Sequence, residues 1–130
     1  MREFGQRVAN GDLSVFGELV AEDFVNHAAG PQGRDGFRAT FEHLRHDLGD
    51  FTLEEHHLLA DGQMVAVHNT LHGQHLASTM PLLSGIPVTR APVVWTFLHL
   101  FRVSNGKISE HWACRDDVDL LRQVGAWPPR

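Results

Sequence analysis

Residues 91–116, APVVWTFLHLFRVSNGKISEHWACRD, restrict the fold more than any other stretch of this chain. Two runs rich in Val, Ile, Phe and Trp flank Asn105-Gly106, a dipeptide that readily takes the positive φ angles of a tight turn. The pattern predicts a long antiparallel hairpin. With a two-residue turn, Val103 pairs with Ile108, Phe101 with Glu110, His99 with Trp112, Phe97 with Cys114 and Trp95 with Asp116, and alternation puts all ten on one face. The opposite face then carries Leu98, Leu100, Arg102, Ser109, His111 and Arg115. The first face is large, aromatic and interrupted by His99, Glu110 and Asp116, which suits a small-molecule pocket better than a sealed core. This assignment depends on register, since a bulge near the turn would shift one strand's face by a residue.

The rest of the chain supplies partners for that hairpin. LEEHHLLA, an Asp61-Gly62 turn and QMVAVHNTLHGQHLAS predict a second hairpin before it, and SGIPVTRAP reads as a loop. Ahead of Phe51 the period is helical. Residues 2 to 9 read as a helix ending at Asn10-Gly11, and Asp12-Leu13-Ser14 restarts one with Leu13, Phe16, Leu19 and Val20 on one face. After the loop AAGPQGRDG, the residues Phe37, Phe41, Leu44 and Leu48 fall at helical spacing down to Gly49. A last short helix, DVDLLRQV, stops at Gly125. Helices followed by an antiparallel meander predict an α+β fold, with helices on one face of a curved sheet, in a single domain over residues 1–130.

Composition narrows the partners. A formal charge of -5 with only 11 scattered Lys and Arg disfavours a nucleic-acid or anionic-membrane surface. No run of about 20 apolar residues is present, MREFGQRVANGDL lacks the apolar region of a signal peptide, and Cys114 has no partner for a disulfide. A cytoplasmic protein is expected. Ten histidines and no tyrosine raise the question of metal. His43 and His46 share a helix face without an evident third ligand, and His72 and His75 point to opposite faces of a strand, so no metal site is expected.

Several stretches together carry a family likeness: FVNH (24–27), ADGQMVAVHNTLHGQH (60–75), a Gly-Ile-Pro loop, LHLFRVSNGKISEHW (98–112), Asp116 and LLRQVGA (120–126). This order resembles the SnoaL-like polyketide cyclases, and FRV-x-x-GKI-x-EHW is its most specific part. The resemblance implies the nuclear transport factor 2-like fold, a cone-shaped α+β barrel. It also implies an intramolecular aldol ring closure without metal or cofactor, a hydrophobic small-molecule substrate and a homodimer formed through the outer face of the sheet, where Leu98 and Leu100 would otherwise be exposed. The family's acid/base Asp matches Asp116 by its position after EHW, and a histidine position of the family matches His75.

Each candidate has a second reading. An Asp beside Trp95 and Trp112 would have its charged form disfavoured and become a better base. The same residue suits the N-cap of the last helix, with Asp119 three residues on. Asp117 and Asp119 read as first-turn acids that complement the helix dipole. His99 could donate to a developing oxyanion or orient Asp116, or be a hydrogen-bonded core histidine. Asn26 and His27 sit where helices meet sheet, at the expected mouth of the cone, and Asn26 could bind a carbonyl or simply form a turn. Glu110 faces the pocket or pairs with Arg90 or Arg102. Trp95, Phe97, Phe101 and Trp112 would line the wall, and Cys114 would be a small buried thiol. Two other activities remain open on the same fold: a non-catalytic module that holds a hydrophobic ligand or dimerises, and an epoxide hydrolase or ketosteroid isomerase-like enzyme.

Overall fold

The computed structural model describes residues 1–129. Its elements are α1 (Arg2–Ala9), α2 (Val15–Leu19), β1 (Val20–Asn26), α3 (Gly33–Leu48), β2 (Thr52–Asp61), β3 (Met64–Gln74), a 3-10 turn at Pro81–Leu83, β4 (Pro92–Ser104), β5 (Lys107–Arg115) and α4 (Asp117–Gln123). The five strands form one sheet in the order β1-β5-β4-β3-β2. All neighbours are antiparallel except β1 and β5. The α+β expectation holds, as does the helix predicted down to Gly49, whose φ of 74° ends α3.

The second helix is shorter than its apolar spacing suggests. It ends at Leu19, and Val20 already has extended backbone and lies opposite Ile108 of β5. A five-residue helix gains little from its own hydrogen bonds, whereas a β-branched residue beside an open strand edge gains a ladder, so the pairing prevails.

Apolar side chains of the helices pack onto the concave face of the sheet. Phe4 of α1 stacks on Phe37 of α3 at 5.9 Å, Phe24 of β1 stacks on Phe37 at 4.7 Å, and Phe16 meets Phe37 edge-on at 5.6 Å. Burying each of these rings is worth roughly 1.5–3 kcal/mol. Gly73 allows β3 to pass close beneath the end of α3, because a Cβ there would lie 2.7 Å from the Leu48 carbonyl oxygen.

The hairpin of β4 and β5 turns at Asn105-Gly106 with φ angles of 52° and 75°, as the dipeptide predicts. One residue later the register departs from expectation. Val103 lies opposite Ile108 but Arg102 lies opposite Glu110, so Ser109 is an extra residue on β5, and its hydroxyl donates to the Arg102 carbonyl at 3.3 Å. Beyond this bulge His111 pairs with Phe101, Ala113 with His99 and Arg115 with Phe97. The faces of β5 are therefore exchanged: His111, Ala113 and Arg115 turn inward, while Glu110, Trp112 and Cys114 turn to the convex side. A second bulge places His56 as the extra residue of β2.

The segment between β3 and β4 is held by two buried polar side chains. Asp47 of α3 is fully buried and accepts from the Thr79 amide (2.9 Å), the Thr79 hydroxyl (2.6 Å) and the Met80 amide (2.7 Å). Burial pushes its carboxyl up, but the bonds from Thr79, Met80 and His46 outweigh it and hold it below the ordinary value. His75, also fully buried, bonds Thr89 Oγ1 at 2.9 Å and Ser78 Oγ at 2.8 Å.

Candidate active site

Between the helices and the concave face lies a cavity of about 500 Å3. Phe4, Phe37, Phe41 and Leu44 form its helical wall; Val67, Asn69, Leu71, Phe97, His99, Phe101, His111, Ala113 and Arg115 form its floor. The bulge at Ser109 decides that floor, since it brings His111 and Arg115 into it and removes Trp112.

The floor holds a short relay. His99 Nδ1 lies 2.9 Å from His111 Nε2, and His111 Nδ1 lies 3.0 Å from Asn26 Oδ1, which also accepts from the Ala28 amide at 3.0 Å. Burial, with the neighbouring His111, pushes the His99 imidazole down to about 3. Burial pushes that of His111 down to about 4. His99 keeps one edge on the open cavity, but protein surrounds the rest of the ring, so loss of solvation dominates. Both rings are neutral at pH 7, and the tautomers follow from the partners. The Asn26 oxygen can only accept, so His111 Nδ1 carries the hydrogen and His111 Nε2 is bare. His99 Nδ1 must then donate to it, leaving His99 Nε2 unprotonated.

At one end of the floor the Arg115 guanidinium sits 5.4 Å above the Trp95 ring and donates to Asp117 at 3.0 Å. At the rim, Arg2 of α1 and Glu55 of β2 pair at 3.1 Å. Asn69 is 9% exposed, and its Oδ1 is buried with no hydrogen-bond partner.

The structure brings only part of the expected set together. His99, Asn26, Phe97 and Phe101 line the cavity. Asp116 does not: it is exposed after β5, and its Oδ1 accepts from the Asp119 amide at 3.1 Å as the N-cap of α4. Its expected place opposite Trp95 required an unbroken register, which the bulge removes. His75 anchors the 76–91 segment away from the cavity. Trp95 shares the concave face with Phe97 and His99 but is 1% exposed, covered by Arg115, and does not line the cavity. Trp112 is on the convex side, where His27 stacks on it at 4.6 Å and bonds Glu110 at 2.8 Å, so neither ring lines the cavity. Glu110 also takes a 2.7 Å bond from Arg102, one of the two arginines expected as its partner, and Cys114 is exposed rather than buried. His111 and Asn69 were missed. Asn69 did leave a signal, being a polar residue between Val67 and Leu71 on an otherwise apolar strand face.

No cluster of three His, Cys, Asp or Glu side chains is arranged to hold a metal ion among the described residues, and no described helix is long and apolar enough to cross a membrane. The sequence pattern that defines the SnoaL-like polyketide cyclases matches residues 1–124. The chain belongs to that family. This SnoaL-like protein is 25% identical over 135 residues to DauD of Streptomyces sp. (strain C5), an aklanonic acid methyl ester cyclase, covering 98% of this chain and 81% of DauD. DnrD of Streptomyces peucetius, which bears the same description, is also 25% identical over 135 residues, covering 98% of this chain and 90% of its own. The crystal structure of IdmH from Streptomyces antibioticus superposes with a TM-score of 0.80 at 29% identity, covering 94% of this chain and 93% of IdmH. TsrD from Streptomyces laurentii, at 22% identity and a TM-score of 0.84, covers 97% of this chain and 92% of TsrD and shares its fold. The α+β cone is thus the SnoaL-like architecture, and its cavity is of a size for a small molecule.

Proposed function

We propose that this SnoaL-like protein closes a ring in a hydrophobic, carbonyl-bearing small molecule by aldol chemistry in the cavity, with His99 as the proton acceptor. The observation that carries this reading is the relay from His99 through His111 to Asn26, which leaves a bare imidazole nitrogen on the floor of an apolar, aromatic-walled site. The relatives favour cyclisation over the hydrolase, isomerase and purely binding alternatives.

The chemistry follows from that nitrogen. His99 Nε2 removes a proton from the carbon between two carbonyl groups, and the electron pair becomes an enolate. The enolate carbon attacks a second carbonyl of the same molecule, forming the carbon–carbon bond and an alkoxide. The alkoxide takes the proton back from His99. Atoms and charge balance with no added group, in keeping with a cofactor-independent reaction. An imidazole held near 3 is a weak base, so the substrate must supply an acidic C–H, such as a methylene activated from both sides. The same depression makes the imidazolium a strong acid, suited to protonating the alkoxide. Donation from His99 Nδ1 to His111 fixes the ring and spreads the transient positive charge.

The role that the family likeness assigns to Asp116 is the rival within this reading. Aklanonic acid methyl ester, named for the relatives, is the first substrate to test, with chromatographic separation of the ring-closed isomer from the substrate of equal mass. Wild type is expected to form that isomer, and His99→Gln to form little or none in the same time. Ring closure undiminished in His99→Gln would remove His99 from the mechanism.

A single domain over residues 1–130 that works in the cytoplasm as a homodimer completes the proposal. Leu98 and Leu100 support the dimer, being 55% and 38% exposed side by side on the convex face.

A further inference from the structure

Asn69 projects from β3 opposite Phe97 and diagonal to His99, whose direct partner is Val67. It lines the cavity, is nine-tenths buried and has an amide oxygen with no donor. A buried amide left in this way costs on the order of 1–3 kcal/mol. The neighbours that could relieve it are committed elsewhere. Glu55, its partner across β2, pairs with Arg2, and as a carboxylate it has no hydrogen to give. Thr70 faces the other side, where it bonds His56 and Thr96. His99 uses its one hydrogen on His111, and its bare Nε2 can only accept.

We infer that Asn69 is a specificity-determining residue that reads a hydroxyl or enol group of the ligand. The floor offers one acceptor, His99 Nε2, diagonal to the Asn69 amide, whose oxygen is buried in this orientation and reaches the cavity surface after a half-turn of its terminal torsion. A complementary ligand therefore brings hydrogens: the acidic C–H for His99 and an O–H for Asn69. Nothing in the protein donates to the amide oxygen to fix its orientation, and the terminal torsion of Asn is broad, so a half-turn exchanges oxygen and nitrogen at the cavity surface. A hydroxyl standing beside a carbonyl could use both ends of the amide. Sites that must satisfy a buried polar group discriminate strongly against ligands that lack the matching one.

This inference rests on the cyclase reading only for treating the cavity as the substrate site, and binding tests it without turnover. Phenanthrene and 9-hydroxyphenanthrene, flat apolar probes that differ by one hydroxyl, would be titrated calorimetrically against wild type, Asn69→Leu and, in case the larger side chain upsets folding, Asn69→Val. The hydroxylated probe should bind wild type about tenfold tighter than its parent, and either variant should bring the ratio to about one while binding phenanthrene at least as well. A ratio unchanged in the folded variants, or no binding of either probe to wild type, overturns the assignment. A ratio lost in His99→Gln but kept in Asn69→Leu would give the recognition to His99 and equally overturn it. Absence of ring closure with intact hydroxyl discrimination would reject the cyclase reading and leave Asn69 as a recognition residue.

Discussion

His99 and His111 meet at 2.9 Å across β4 and β5, although in a hairpin with an unbroken two-residue turn they would lie on opposite sides of the sheet. The extra residue Ser109 makes the contact. Deleting Ser109 should leave an unbroken hairpin in which Glu110 still lies opposite Arg102 and His111 opposite Phe101, so the inward face of β5 is kept. The expected result is a folded chain with a native-like midpoint in urea, and failure to fold would show that the bulge itself holds the hairpin together.

His99→Gln keeps a donor for His111 Nε2 but offers no base. Stability should stay within about 1 kcal/mol of wild type, while single-turnover ring closure slows by about 100-fold or more.

Asn26→Asp puts a carboxylate in place of the amide that accepts from His111 Nδ1. An adjacent negative charge favours the protonated imidazole and should raise the low value of His111, whose Nε2 once protonated no longer accepts from His99 Nδ1. The acidic limb of the pH–rate profile should move up by about a unit. An unmoved profile would mean that Asn26 does not act through His111.

Stability should fall on acidification before the carboxylates titrate. In the unfolded chain both histidines titrate near 6.5, whereas in the fold they are held at about 3 and about 4. The unfolded state therefore binds more protons between these limits. The stabilising contribution is whole above pH 6.5 and is lost as pH drops towards 4, at up to about 1.4 kcal/mol per pH unit for each ring. Urea unfolding of wild type and His99→Gln across pH 7 to 4.5 should show a shallower slope in the variant. Equal slopes would exclude His99 as the group responsible.

Asp116→Asn should leave both fold and turnover nearly unchanged, because Asn caps a helix about as well as Asp, whereas Asp116→Ala should cost about 0.5–2 kcal/mol. A loss of turnover by orders of magnitude in Asp116→Asn at unchanged stability would return the acid/base role to Asp116. Leu98→Glu, a change at an exposed position on the convex face, should give a folded monomer in sedimentation with the cavity intact.

Much of the architecture was legible because it depends on local periods. The spacing of Phe37, Phe41, Leu44 and Leu48 marks α3, and Asn105-Gly106 marks the turn, since only residues tolerant of positive φ suit it. The site was legible in part. Phe97, His99 and Phe101 lie on β4, which runs without interruption from the cavity to the turn, so their alternation could be counted. Those of β5 could not be counted past the bulge, because nothing in Lys107-Ile108-Ser109-Glu110 announces an unpaired residue. One uncounted residue transferred Trp112 outward and His111 inward. Asp116 lost its expected place on the wall for the same reason and keeps the helix-capping geometry that its spacing to Asp119 already allowed.

The sequence by itself determined the element types other than β1, the turn chemistry, the family and an aromatic face bearing His99, all of which follow from neighbours a few residues apart. The tertiary structure alone decided which polar groups share the cavity. His111, Asn26 and His99 come from β5, β1 and β4, and their tautomers follow from who donates to whom. That ordering exists only once burial has removed water as the alternative partner, and burial is a property of the packed sheet and helices together.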